Sequence, residues 1–413
     1  MKHRPSTSTV TSGDRDANQP PVRDQTEHTL PNATNRVNSG EAGKPRQLWG
    51  RPELYTSYAQ STRMLNTRPK LFAVLALLAV GLYLPFGVED QYLHIGALAF
   101  AAAVGAIGLN LVTGFAGQVS LGHAFFLAVG AYTAAALSGD PEGRTLGFGV
   151  TFMPVWLLAA GLVAGVIGVI VAPIATRLRG LYLAIVTLGL VFLGEHIFKE
   201  WQDLTGGPGV GRAGPVPELF GNKLNESGDV LTADQKLYLT MLVLLVIFAI
   251  FAKNLVRSKV GRAFSAVRDR DIAAEVIGVS LTRYKVIAFG VSSFYAGCAG
   301  ALVYTVVGFF DPTSFTLVLS INYVAMVLIG GAGTISGSIM GAIFITALPR
   351  LTQELPTVVP FISTDPTASI NTLNAAVVLY GLLIIVFLIF EPRGLFGIWL
   401  RIRNYFKAWP FSY

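Results

Sequence analysis

From Gln91 to Gly139 the chain contains no Asp, Glu, Lys or Arg, and Thr145–Thr176 and Pro312–Pro349 are equally free of charge. A helix or strand at a water-facing surface needs a polar side, and runs of this length provide none. A helix that crosses a bilayer takes about 20 mostly apolar residues, so the first and third runs are each long enough for two crossings. Only 13% of the 413 residues are charged, against about a quarter in a soluble domain. The fold class that follows is all-α: a polytopic integral membrane protein with about ten transmembrane helices, some of them discontinuous.

The crossings are expected at Leu71–Val88, twice within Gln91–Gly139, at Thr145–Thr176, Gly180–Phe198, Leu237–Ala252 and Val286–Phe310, twice within Pro312–Pro349, and at Pro366–Phe390. Residues 1–68 are rich in Ser, Thr, Asn and Pro and poor in apolar clusters. Such a segment buries too little surface to offset its ordering entropy and is expected to be a disordered cytoplasmic tail. It has no apolar core of a secretory signal peptide. The membrane domain is expected over 69–392 and a second cytoplasmic tail over 393–413.

The net charge is +7, but the basic residues collect in the first 70 residues, in Lys253–Lys285 and after Arg393. That clustering points away from nucleic acid and toward a positive-inside membrane topology. With both termini in the cytoplasm, the inner segments are the tail, a break at Gly114, Arg177–Arg179, Lys253–Lys285, a break at Gly330 and the carboxy terminus. The outer segments are Glu89-Asp90, Asp140–Arg144, Lys199–Lys236, Asp311 and Arg350–Asp365. Every strongly basic segment then falls inside. The single cysteine, Cys298, lies in an apolar run. It excludes an intrachain disulfide and a cysteine-based metal site, and packing is its expected role.

Two glycine-rich breaks interrupt apolar sequence. One runs from Asn110 through Gly114, Gly117, Gln118 and Ser120 to His123; the other holds Asn322, Gly330 and Gly333. Both contain Gly-x-x-Gly-x-x-Ser, at 114/117/120 and 330/333/336, the mark of an internal repeat. Irregular backbone at membrane depth is tolerated only in a protein interior or beside a water-filled cavity. These residues are therefore candidates for a translocation path, and ordinary small-residue helix packing is the competing reading. His123 has no carboxylate neighbour in sequence, so a hydrogen-bonding role is expected for it rather than proton relay. Glu195 and His196 fall where a span reaches the outer surface.

Lys253–Lys285 is a polar island between two apolar runs, with eight Lys/Arg against three Asp/Glu. A first helical piece from Gly261 to Arg270 has a basic face. A second, from Asp271 to a stop at Gly278, is alanine-rich, with Ile272, Val276 and Val279 at helical spacing. Such a helix suits a cleft in a cytoplasmic partner, or the lipid headgroups. Elsewhere the chain lacks Gly-x-x-x-x-Gly-Lys-Ser/Thr, His-Glu-x-x-His and any Cys/His ligand cluster. No catalytic residue, metal site or bound cofactor is expected, so energy comes from a partner or an ion gradient.

Ala273-Ala274-x-x-x-Gly278 resembles the coupling-helix loop of ATP-binding cassette (ABC) importer permeases. It departs from that pattern in having Ile272 for the leading Glu, with Asp271 one place earlier, and in lacking the late proline. Gly108-Leu-Asn-Leu-Val-Thr-Gly-Phe-Ala-Gly-Gln-Val-Ser-Leu-Gly-His-Ala-Phe-Phe126 is similar to the signature of branched-chain amino acid permeases. So are Leu178-Arg-Gly-Leu-Tyr-Leu-Ala-Ile-Val-Thr-Leu-Gly189, Thr205-Gly-Gly-Pro-Gly209, Asp311-Pro-x-Ser-Phe315 and Glu391-Pro-Arg-Gly-Leu395. Together these cover about residues 70–400 and resemble the M-type subunit of leucine/isoleucine/valine importers.

The resemblance implies a plasma-membrane permease that is not itself an enzyme. It implies a second, homologous permease subunit, two cytoplasmic ABC ATPases that hold ATP-Mg, and an extracytoplasmic binding protein that delivers the amino acid. It places ATPase coupling on Arg262, Arg268, Asp271, Ala273, Ala274, Glu275, Gly278 and Arg283. A urea or short-chain amide permease shares much of the signature and stays open, as does a secondary transporter driven by an ion gradient.

Overall fold

In the computed structural model, the described residues are 68–353 (except 179, 220, 229 and 230), scattered helical positions within 378–390, and 391–408 except 392. The expected tail 1–68 lies almost wholly outside them, as does most of the tenth crossing.

The described chain is a bundle of apolar helices that runs back and forth between two ends. In order these are α1 (Arg68–Tyr83), α2 (Asp90–Asn110), α3 (His123–Ser138), α4 (Met153–Arg177) and α5 (Leu181–Glu200), followed by a short α6 (Gln202–Thr205). Two-residue strands β1 (Arg212–Ala213), β2 (Glu218–Leu219) and β3 (Asn222–Lys223) precede α7 (Ala233–Arg257). The polar pieces α8 (Lys259–Asp269) and α9 (Asp271–Val276) lead to α10 (Leu281–Val307), β4 (Phe309–Phe310), α11 (Leu317–Gly330), α12 (Ile335–Gln353) and, at the end, α13 (Gly394–Ala408). Six of the described helices are long and apolar enough to cross a membrane, and three more are shorter apolar helices near Leu71–Phe86, His123–Ser138 and Ile335–Arg350.

Helices α2 and α10 form the centre, and most of each is buried inside the bundle. α10 packs on α2, α3 and α4; α2 also packs on α7 and α12. Lipid tails are as apolar as leucine, so helices in a membrane associate through close packing rather than through a hydrophobic drive. Glycines supply it here. A methyl group on Gly300 would collide with the Leu127 backbone, and one on Gly130 with the Gly297 backbone. Cys298, fully buried where α10 meets α4, donates its thiol to the Leu157 carbonyl at 3.6 Å.

Two differences from the sequence reading concern the island. α7 is longer than the expected Leu237–Ala252, because Thr232 and Gln235 form a reciprocal capping box that starts it early. It then runs on to Arg257, and α10 begins at Leu281. The basic residues at both edges of the island are therefore the ends of membrane helices, and the connecting segment between them is shorter than the charge pattern implies.

Candidate functional site

One end of the bundle gathers both glycine breaks, the island and the start of α13. The first break opens as a π-helical turn, Leu111–Phe115, continuous with α2. Turns of this kind inside α-helices recur at functional sites. The helix then ends: Gln118 gives its N–H to Val112 at 2.9 Å, and Gly117 has φ +69°, a conformation natural to glycine. The chain re-enters a helix at His123. The backbone donors there are satisfied by hydroxyls from other helices: Thr187 Oγ1 of α5 accepts from Leu121 N at 2.9 Å, and Ser320 Oγ of α11 accepts from Ala124 N at 2.9 Å. Ser120 Oγ accepts from Gly122 N at 3.4 Å.

The second break lies between α11 and α12, where Gly331 and Gly333 have φ +124° and +76°. Asn110 joins it to the first. Its Oδ1 accepts from Gly333 N at 2.8 Å, while Nδ2 donates to the Thr334 carbonyl at 2.9 Å and to Ser338 Oγ at 2.6 Å. Gly114 is buried against Gly333, and Gly330 against Gly337 and Gly341.

Asn110, Gly114, Gly330 and Gly333 are thus brought together. Ser120 and His123 sit on the far side of the first break. His123 is buried, with its ring 4.8 Å from that of Tyr323 and no hydrogen-bond partner on Nε2. Gln118 is buried too, and neither Nε2 nor Oε1 of its amide has a partner. Asn322 is half-buried on α11, about two turns before the break. The repeat holds for its glycines but not beyond them: Ser120 is buried and Ser336 exposed, and the serine that serves the second break is Ser338.

In the island, α8 buries Gly261, Ala263, Phe264 and Val267 and turns Arg262 outward. α9 ends as the sequence suggests. Gly278, at φ +90°, gives its N–H to Glu275, and Val279 gives its own to Ala274, both at 2.9 Å, the Schellman pattern. Ala273, Glu275, Gly278 and Arg283 are exposed and Asp271 is half-exposed, whereas Ala274 is turned into the protein. Ile272, Val276 and Ile277 stand out at 68%, 83% and 76% exposure, an apolar face left open by the described residues. Arg268 differs from its basic neighbours: its Nη1 donates to the Gly114 carbonyl at 2.9 Å.

The opposite end unites four of the segments expected outside, Glu89-Asp90, Asp140–Arg144, Lys199–Lys236 and Asp311; most of the fifth, Arg350–Asp365, lies outside the described residues. Gln235 Nε2 donates to the Pro85 carbonyl at 2.8 Å, and Thr232 Oγ1 to Asp90 at 3.1 Å. Arg212 is buried there and clamps three carbonyls, Leu204 at 2.6 Å, Ala135 at 2.7 Å and Leu146 at 3.1 Å. Burial pushes its pKa down from the ordinary arginine value. β1 pairs with β4, with Arg212 opposite Phe310. The two motifs Thr205–Gly209 and Asp311–Phe315 meet here: Asp311 accepts from Gly209 N at 3.3 Å and from Thr313 and Ser314 hydroxyls at 2.8 and 3.0 Å. Burial raises the Asp311 pKa, but these hydrogen bonds outweigh it and hold the carboxyl below its ordinary range.

Thr187, Ser320, Ser338 and Arg212 escaped the sequence reading. For the three hydroxyls the available signal was a lone Ser or Thr in an apolar span, which in a membrane interior serves a neighbour helix.

A multi-pass bundle of apolar helices with two spliced breaks beside a basic segment is an arrangement suited to a transport permease. The family model for the permease component of branched-chain amino acid transport systems matches residues 91–388, and the chain belongs to that family. It is 32% identical to the high-affinity branched-chain amino acid permease LivM of Salmonella typhimurium, over 80% of this chain and 75% of that one, and equally so to LivM of Escherichia coli. It is 23% identical to the Escherichia coli permease LivH, over 71% of this chain and 90% of the relative. No solved structure matches it.

Proposed function

We propose that this chain is one of two permease subunits in an ATP-driven importer of branched-chain amino acids. Likeness both to LivM and, more distantly, to LivH supports a pair of related subunits. Of two ABC ATPases, one docks on the α8–α9 segment and the other on the second permease subunit, and an extracytoplasmic binding protein delivers the amino acid at the end formed by Arg212 and Asp311. The protein lies in the plasma membrane with both termini in the cytoplasm. Nucleotide chemistry belongs to the ATPases; this chain supplies the path and the mechanical contact.

The observation that carries this reading is the Asn110 splice. It ties two unwound segments together at the end where the exposed face of α9 awaits a partner. Opening the splice opens the bundle there, and the free amide of Gln118 and Nε2 of His123 give a zwitterionic solute polar contacts inside the bundle.

The test is uptake of radiolabelled leucine and urea by cells with and without the gene, each with and without collapse of the proton gradient. Leucine uptake that depends on the gene and survives collapse is the expected result. Urea uptake alone, or uptake lost with the gradient, moves the chain to one of the two rival classes.

A further inference from the structure

We infer that Arg268 is a positioning residue for transport: it links the ATPase-docking segment to the broken helices and so couples ATP turnover to opening of the path. This rests on the functional reading above and extends it.

Four observations place it. Arg268 lies in the last turn of α8, a helix anchored by the fully buried Phe264, so the guanidinium is presented by a packed element and not by a loose loop. Its Nη1 donates to the Gly114 carbonyl at 2.9 Å. Gln118, four residues beyond Gly114, has turned its N–H to Val112, so Gly114 lies where the helical ladder gives out. The stem of Arg268 lies across Gly117, where a Cβ would come within 2.6 Å of its Cγ, and Nη1 lies beside Gly333, where a Cβ would be 3.1 Å away.

One cation therefore faces the carboxy-terminal end of the α2–π segment and lies beside the turn that joins α11 to α12. A positive charge at a helix carboxy terminus is stabilised by the helix dipole, and a charged donor strengthens the hydrogen bond. Asp269 steadies the guanidinium through Nε at 3.1 Å. α9 follows Arg268 after two residues, so a displacement of α9 by a partner is delivered to the Gly114 carbonyl and, through Asn110, to Gly333. Lysine keeps the charge but not the fork, and glutamine keeps neither.

The test uses the assembled complex of both permeases and both ATPases in proteoliposomes with the binding protein. ATP hydrolysis and leucine uptake are read together for wild type, Arg268→Lys and Arg268→Gln. The expected result is that Arg268→Gln still co-purifies with the ATPases while leucine moved per ATP falls at least tenfold, and Arg268→Lys recovers part of the loss. An unchanged ratio in Arg268→Gln, with wild type active, overturns the inference alone. Loss of the ATPases on purification also overturns it, because Arg268 is then a docking contact. If Arg268→Gln does not fold, Arg268→Lys decides: a normal ratio overturns, a lowered one supports. A wild-type complex without ATP-driven leucine uptake overturns the functional reading itself.

Discussion

The side-chain oxygen of Asn110 accepts a hydrogen bond from the backbone of Gly333 at 2.8 Å, across 223 positions of sequence. The same amide serves Thr334 and Ser338, so a single side chain satisfies a donor and two acceptors of the second break. Asn110→Leu keeps the approximate size and removes all three bonds. Each buried polar group left unpaired costs about 1–3 kcal/mol, and the expected loss is about 3 kcal/mol because Ser338 retains Thr334 as an alternative. Thermal unfolding of the purified protein measures it, and an unchanged midpoint would show that the breaks are held by other contacts.

The glycine seam between α3 and α10 predicts a sharp contrast between two identical substitutions. Gly300→Ala drives a methyl into the Leu127 backbone, whereas Gly189, on the exposed side of α5, has open space around it. Overpacking of this kind costs about 1–3 kcal/mol. Gly300→Ala is expected to lower the unfolding temperature in detergent and Gly189→Ala to leave it level or raise it.

Arg212 binds the outer loops by geometry as well as charge. Arg212→Met strips donors from Leu204, Ala135 and Leu146 and is expected to destabilise that end by about 2–4 kcal/mol. Limited proteolysis should then cut within 199–236 faster than in wild type. Arg212→Lys recovers only part of the protection, since an ammonium cannot reach three carbonyls at once.

Asp311 gives a pH dependence with a definite sign. Its folded pKa lies below the unfolded one, so its stabilising contribution is complete above the ordinary carboxylate pKa of about 4 and fades as pH falls through the lower folded value. Neutral and mildly acidic buffers should leave the 205–211 loop equally protected from proteolysis. Asp311→Asn should show less protection than wild type at pH 7, with the difference shrinking in strong acid.

For α9, solvent exposure chooses the probe. Val276→Cys, at a position 83% exposed, is expected to react with a membrane-impermeant thiol reagent from the cytoplasmic side only, while Ala274→Cys stays unreactive because it is buried. Labelling of Val276→Cys from outside would reverse the topology. Gly278→Trp forces a bulky residue to φ +90° and is expected to abolish transport while the protein still inserts in the membrane.

Charge-free length made the helices legible in the sequence, because a helix that crosses a bilayer needs about 20 mostly apolar residues. The two breaks were legible as glycines with polar neighbours, and the stop at Gly278 as a glycine after an alanine-rich turn. The inward turn of Ala274 was not, because two adjacent alanines look alike until the helix is set against a wall. Nor was the different task of Arg268, which in sequence is one basic residue among several.

By itself the sequence determined that this chain lives in a bilayer, which glycines interrupt its helices, and which family it joins, since each of these is written in local composition and contiguous motifs. Only the tertiary structure decided that Asn110 holds Gly333, that Arg268 holds Gly114, and that Thr187 and Ser320 complete the start of α3. Those bonds join residues distant along the chain, and a hydrogen bond of 2.9 Å is specified by how helices pack, which no single segment encodes.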